Sequence, residues 1–203
     1  MMLDLLDYRR TVASIYRDVR DHPDNQAAWQ SWRTRRDELF RTHPQSALDE
    51  AQKATFTGLK YFDYDPAWRV VAQVETNVET QEFQIDVGND GIVSYRRFGR
   101  VQLTLPTGSG SLCLYWIMGY GGGVFIPFGD ATNKQTTYGG GRYLLDTIKG
   151  ADLGSTLAGE IVLDFNFAYH PSCTYNPRWT CPLTLPENRL SFPVTAGEQT
   201  PLV

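Results

Sequence analysis

The sequence offers few of the features that assign a function at sight. The opening stretch, MMLDLLDYRR, carries acids inside its only apolar segment, and no apolar run follows it. It therefore has neither the architecture of a secretory leader nor that of a membrane span, and a cytoplasmic chain without a membrane partner is expected. Cysteine is scarce, at 3 in 203 residues, as is histidine, also at 3. In a reducing compartment those thiols are not to be read as a disulfide. An excess of one charge is missing too. The net charge is −4, split as +1 over residues 1–60 (10 basic, 9 acidic) and −5 over residues 61–203 (9 basic, 14 acidic). That asymmetry is too small for a nucleic-acid footprint, so no nucleic-acid partner is expected. The phosphate loop G-x-x-x-x-G-K-[ST], the G-x-S-x-G elbow, the H-E-x-x-H helix, the calcium loop and paired C-x-x-C knuckles do not occur. Neither do internal repeats. Hydrolase and zincin chemistry have no foothold.

What is present divides the chain at about residue 55. Leu3, Leu6, Val12, Ile15, Tyr16 and Val19 fall near one face of a helix over residues 2–20. His22-Pro23 interrupts it, since proline disfavours helical geometry in the residue before it. Asp24 or Asn25 then caps a second helix through about Phe40. Arg33, Arg35, Arg36 and Arg41 read as its solvated face, paired with Asp37 and Glu38. His43-Pro44 ends it, and residues 46–51 suggest one more turn. His22 and His43 read as loop residues before prolines.

From Gly58 the period becomes strand-like. WRVVAQVET, ETQEFQIDV, GIVSYRRF and RVQLTL are short β-rich runs separated by Asn, Asp and Gly. Phe83, Ile85 and Val87 alternate with polar residues, which marks one buried and one wet face. The VGNDGI stretch (87–92) supplies hairpin turn chemistry. The run over residues 111–118, SLCLYWIM, is apolar on both faces and reads as a central strand, with Cys113 a small buried hydrophobe. Further strands are expected at 124–127, 160–167 and 189–195. Six of the 11 prolines lie between Pro171 and Pro201, so the C-terminal part reads as extended loop. The fold class is thus α+β: an N-terminal helical segment, 1–55, packed on an antiparallel β-barrel or β-sandwich, 56–203, as one structural unit.

Two stretches hold candidate chemistry. In FGDATNKQTTYGGGRY (128–143) the glycines before Arg142 allow amide groups to converge on an anion, or simply a sharp turn; the turn is favoured on spacing alone. Asp130 and Thr132 suit Asx-type turns equally. In LDFNFAYHPSCTYNPRWTCPLTLPENRL (163–190) strand alternation puts Asp164 and Asn166 on one face. His170, Cys173 and Cys181 are proper zinc ligands, but three are fewer than a closed structural site needs. The pair of thiols reads first as packed across a Pro-rich hairpin, second as part of a metal site, and third as a nucleophile near Arg178 and His170.

These two stretches, with AGE (196–198), SWRTRRDELFRTHPQSAL (31–48) and FTGLKYFDYDPAWRV (56–70), resemble the signature blocks of an uncharacterised bacterial and archaeal family. It is domain-of-unknown-function family sixteen-eighty-four, and the resemblance covers nearly the whole chain. Asp130, Thr132, Tyr138, Gly139, Gly141, Arg142 and Tyr143 fall in one distinctive block. Asp164, Asn166, Tyr169, Pro171, Cys173, Cys181, Pro182, Asn188 and Glu198 fall in the others. The usual member carries Asn at the position of His170, and often proline at those of Ala47 and Leu185. The resemblance implies no biochemistry.

The function expected from the residues is binding of a small, anionic molecule in a pocket formed by the 128–143 and 164–181 loops. Arg142 would hold the anionic group. Asp130, Thr132, Asp164 and Asn166 would orient it or bond the ligand, and Tyr138, Tyr143 and Tyr169 would supply aromatic walls. The alternative is a cysteine- or metal-dependent enzyme using Cys173 and Cys181. The residues leave the cofactor unknown.

Overall fold

The computed structural model describes residues 2–88 and 91–200. Three helices come first: α1 (Met2–Asp21), α2 (Asn25–Thr42) and α3 (Glu50–Thr55). Asp24 caps α2 by accepting the Ala27 amide hydrogen. The expected extra turn lies slightly later than residues 46–51, because Asp49 and Gln52 form a reciprocal capping box that starts α3 at Glu50. None of the described helices is long and apolar enough to cross a membrane.

Among the described residues seven strands follow, in two antiparallel sheets. β1 (Arg69–Ala72) pairs with β7 (Ile161–Asp164). β2 (Gln81–Asp86), β3 (Ile92–Leu105), β4 (Gly108–Ile117), β5 (Gly123–Phe128) and β6 (Arg142–Asp146) form a meander in that order. The architecture is α+β, and the five-stranded sheet stays open. GIVSYRRF and RVQLTL are one 14-residue strand, bent by a bulge between Arg97 and Gly99. A bulge inserts an unpaired residue and sharpens the local twist without ending the strand. Gly99 is required there, since a Cβ would sit 2.7 Å from Val74. The β2–β3 hairpin forms, with Asp86 opposite Ile92; Asn89 and Asp90 of its expected turn lie outside the described residues.

β4 is the central strand of the sheet, as its two-sided apolar pattern requires, and its faces serve two cores. Leu112 and Leu114 pack with Trp68, Val101, Phe128, Phe165 and Val194, against the β1–β7 pair and the C-terminal segment. Cys113 and Tyr115 join Ile15, Tyr16, Trp29, Trp32, Tyr95 and Phe125, beneath the helices. Trp32 meets Phe167 edge-on at 5.1 Å, and the Trp29 indole donates to the Asn166 carbonyl at 2.9 Å. The helical segment is thus bolted to the sheet by indoles.

Two expected strands differ. Residues 189–195 form no strand; only Arg189 bridges to Gly129, and Pro193 interrupts the segment. The run at 160–167 ends at Asp164, because the Asp164 carboxylate accepts the Asn166 amide hydrogen and turns the chain into a 3-10 turn over Phe165–Phe167.

The Pro186–Asn188 turn is secured to the sheet by side chains. Asn188 Oδ1 accepts the Cys113 amide at 2.8 Å, while its Nδ2 donates to the carbonyls of Cys113 at 3.0 Å and Pro127 at 2.8 Å. It substitutes for a strand segment between β4 and β5. Glu187 beside it accepts from Arg97 at 2.5 Å and from the Tyr115 hydroxyl at 2.7 Å. Asn188→Ala orphans buried backbone groups that each cost about 1–3 kcal/mol when unmet. Asn188→Asp keeps the acceptor but points an anion at two carbonyl oxygens. Urea unfolding is expected to show both variants destabilised by at least about 2 kcal/mol, with Asp no better than Ala.

Candidate functional site

Arg142 opens β6 and is fully buried. Its guanidinium donates to Asp130 at 2.8 Å, to the Val194 carbonyl at 2.9 Å and to the Ala196 carbonyl, and lies 5.0 Å over the Phe128 ring. Asp130 Oδ1 accepts from the Thr132 amide and hydroxyl and from the Val194 amide. A guanidinium so occupied has no face for a ligand, which corrects the expectation that it holds an anionic group. The glycines preceding it make the turn. Gly141 sits at φ +94°, and a Cβ there would lie 2.2 Å from the Thr184 hydroxyl and 2.6 Å from the Phe128 carbonyl.

Asp164 and Asn166 are also buried and spend their polar atoms internally. Asn166 donates to Asp164 and to the Asp65 carbonyl, and accepts the Asp65 amide. Their shared pocket face does not exist, because the strand has already turned. Burial raises the Asp164 carboxyl above its ordinary value, against the pull of the Asn166 bonds and of Arg69.

A second charged cluster was not visible in the sequence. Arg36 belongs to no solvated face: it is buried and donates to Glu198 at 3.0 Å and to the Tyr61 hydroxyl at 3.1 Å. Glu198 is also fully buried and accepts the His170 amide at 2.9 Å and the Tyr175 hydroxyl. Burial pushes its carboxyl up to about 7, outweighing the attraction of Arg36 and the His170 amide bond. The only trace in the sequence is the AGE block. Of the other arginines, Arg35 pairs with Asp18, Arg41 with Glu38, and Arg33 stacks 4.7 Å from the rings of both Trp29 and Tyr61.

His170 accepts the Tyr138 amide hydrogen through Nε2 at 3.2 Å. Burial, with Arg142 and Arg36 nearby, holds its pKa well below the ordinary value, so the ring stays neutral. Among the described residues, His170, Cys173 and Cys181 do not come together as a cluster able to hold a metal. The metal candidates are corrected accordingly.

Cys173 and Cys181 do meet, as free thiols. The Cys173 amide donates to Cys181 Sγ at 3.4 Å, and Cys173 Sγ lies 3.8 Å from the Tyr138 hydroxyl. Tyr143 and Tyr169, edge-on at 5.7 Å, continue the aromatic wall, and Lys149 lies 5.5 Å over the Tyr143 ring. Tyr143 donates to the Pro182 carbonyl at 2.7 Å, whereas the Tyr169 and Tyr95 hydroxyls are buried without a hydrogen-bond partner among the described residues.

The 171–181 loop is stapled to the 46–52 segment. Arg178 donates to the carbonyls of Ser46 and Leu48, Trp179 to that of Ala47, and Gln52 to that of Tyr175. Beside this seam opens a cleft of about 610 Å³ between α2, α3 and residues 55–61. Tyr61 and Tyr175 form its floor, Phe56, Leu48 and Leu59 its apolar lining, and Arg33, Lys60, Asp37 and Gln52 its polar groups. Among the described residues neither Arg33 nor Lys60 is in an ion pair. Asp37 is engaged by the Leu59 amide at 2.9 Å, and burial raises its carboxyl.

The raised Glu198 carboxyl fixes a pH dependence. A carboxyl whose folded pKa exceeds its unfolded value binds more protons in the native state, so its contribution to stability falls as pH rises between the two. The expected decline runs from about 4.5 to about 7. Glu198→Gln should flatten that part of the stability–pH profile in denaturant titrations. Arg36→Ala, which leaves the carboxylate buried and unpaired, should cost about 3–5 kcal/mol above pH 7.

The comparisons agree with this fold. No curated protein matches the chain. The solution NMR structure of an uncharacterised protein from gene locus rrnAC0354 of Haloarcula marismortui is 33% identical, with a TM-score of 0.61, over 91% of this chain and 98% of that one. The family model described as "Protein of unknown function (DUF1684)" matches residues 54–199, so the chain belongs to that family.

Proposed function

We propose that the chain is a small-molecule-binding domain for an amphipathic carboxylic acid, held in the cleft between α2, α3 and residues 55–61. The cleft carries the reading. Its volume, about 610 Å³, lies within the range of pockets that enclose a metabolite. Arg33 is held between two aromatic rings and keeps its forked donors free of any described carboxylate, which suits bidentate capture of an anion. Lys60 adds a second cation, and Phe56, Leu48, Leu59 and the two tyrosines accept the apolar body. The loop that was expected to form the pocket contributes Tyr175; the cationic role assigned to Arg142 passes to Arg33.

Cytoplasmic residence is part of the same proposal, supported by three unpaired thiols, two of them on residues in contact through the Cys173 amide and Cys181 Sγ. The enzyme alternative is favoured by that contact, and its thiol chemistry can be tested independently of the cleft.

Benzoate and octanoate are the probes. In an amide NMR titration, shifts should gather at Arg33, Gln52, Leu59, Lys60, Tyr61 and Tyr175. Arg33→Met should weaken binding about tenfold, equivalent to about 1.4 kcal/mol, without changing the dispersion of the spectrum. Saturable shifts centred elsewhere, or equal affinity for the variant, would remove the reading.

A further inference from the structure

The 169–181 segment surrounds two thiols with an arrangement that the cleft does not use. Cys181 Sγ receives the Cys173 amide hydrogen at 3.4 Å, at the start of the 3-10 turn over Ser172–Thr174. Each thiol is also the largest single influence on the titration of the other, so the two side chains are neighbours. An amide nitrogen lies two bonds from its own Cβ, which places Cys173 Sγ within one side-chain rotation of Cys181 Sγ. Both residues are partly exposed, whereas Cys113 is sealed inside β4.

The charges around the pair are unequal. Cys181 is lowered to about 6, first by the hydrogen bond from the Cys173 thiol, against desolvation, and then by the amides of Cys173 and Ser172 and the charge of Lys149. Cys173 moves the other way, raised by its hydrogen bond to Cys181 and by burial. The facing groups on other elements are Tyr138, raised to about 12 mainly by burial, with the Tyr95 and Tyr143 phenols. All three remain neutral, so Lys149 is the cation that faces Cys181. The Cys173 amide and Lys149 both favour a thiolate at Cys181, with Cys173 as its proton-bearing neighbour.

We propose that Cys181 and Cys173 form a hydroperoxide-reactive dithiol, with Cys181 as the attacking thiolate and Cys173 as the resolving thiol. Cys181 Sγ attacks the terminal oxygen of a hydroperoxide; an S–O bond forms, the O–O bond breaks, and the leaving alkoxide takes up the proton that Cys181 lost. The sulfur is oxidised to a sulfenic acid and the peroxide reduced to an alcohol, or to water in the case of hydrogen peroxide. Cys173 then attacks Cys181 Sγ. The S–S bond forms, the S–O bond breaks, and hydroxide leaves with the Cys173 proton as water.

The proposal is independent of the carboxylate cleft. Full-length reduced protein is treated with one equivalent of hydrogen peroxide at pH 7 and followed by intact mass and peptide mapping. The expected product has lost two hydrogen masses and contains a Cys173–Cys181 peptide link, with Cys113 still alkylatable. Its formation should be about tenfold faster than oxidation of an ordinary thiol of pKa about 8.5. Cys173→Ser should stop at a gain of one oxygen mass on Cys181, captured by a 1,3-dione. An unchanged wild-type mass, a link between two chains, or oxygen placed on any residue other than Cys181 in the variant would overturn the proposal. The wild-type result stands by itself if the variant fails to fold.

Discussion

A guanidinium removed from water has to be surrounded by acceptors, and at Arg142 those acceptors are the backbone of the C-terminal segment. Taking such a charge out of water costs several kcal/mol even after relaxation, and only close, well-directed partners offset it. Asp130 supplies the countercharge, and the carbonyls of Val194 and Ala196 take further donors, with Nε buried and without a hydrogen-bond partner among the described residues. Residues 189–196 make no ladder of their own. Their path across the sheet is set by this cation, by the Val194 amide on Asp130 and by Asn188 one turn earlier. The interaction therefore replaces hydrogen bonds that a strand would have provided, and proline-rich sequence is tolerated where a strand would not be.

From that anchor the chain continues directly to Glu198, which faces the helices. Arg36 of α2 and the His170 amide converge on its Oε2, and the Tyr175 hydroxyl of the cysteine loop donates to Oε1. The same short segment is thus held by the sheet through Arg142 and by α2 through Glu198. This double attachment explains why the most polar stretches of the chain are also among its most buried. A charge retained at such expense commits the surrounding backbone to one arrangement, because any displacement leaves it unpaired.

The legibility of the sequence follows from this division. Local rules sufficed where a side chain acts on its own neighbours: Asp24 caps α2, Phe83 and Ile85 alternate with exposed residues along β2, and the two-sided apolar run around Leu112–Tyr115 is the central strand. Gly141 reads as a turn and is one. Local rules failed where a partner is remote. Arg36 lies 162 positions from Glu198, so its helix context made it look solvated. Arg142 stands only 12 positions from Asp130, yet whether the pair faces water or protein depends on Val194 and Ala196, which no periodicity brings near. Likewise, Asn166 looked like a strand residue, but the Asp164 carboxylate, by accepting its amide hydrogen, ends the strand before it. The cleft was hidden for the same reason: its wall combines α2, α3 and the 55–61 segment with Tyr175, and only the last lies in a stretch marked by unusual residues.

The charges that remain exposed can then be separated from those that hold the fold. Arg142 and Arg36 are buried and bonded to Asp130 and Glu198, and moving either to serve a ligand would strand its carboxylate in a medium that penalises lone charge. Arg33 has no such debt to a carboxylate. Its stacking on Trp29 and Tyr61 fixes the plane of the guanidinium while leaving its donors available. The thiol pair obeys the same logic on a smaller scale: Cys113 is inert because apolar packing surrounds it, whereas Cys181 is reached by amide hydrogens and by Lys149. Tyr175, between the two cysteines in sequence, is clamped by Glu198 and forms part of the cleft floor. The cysteine loop is thereby tied at its centre to the buried carboxylate, with one free thiol on either side of that tie.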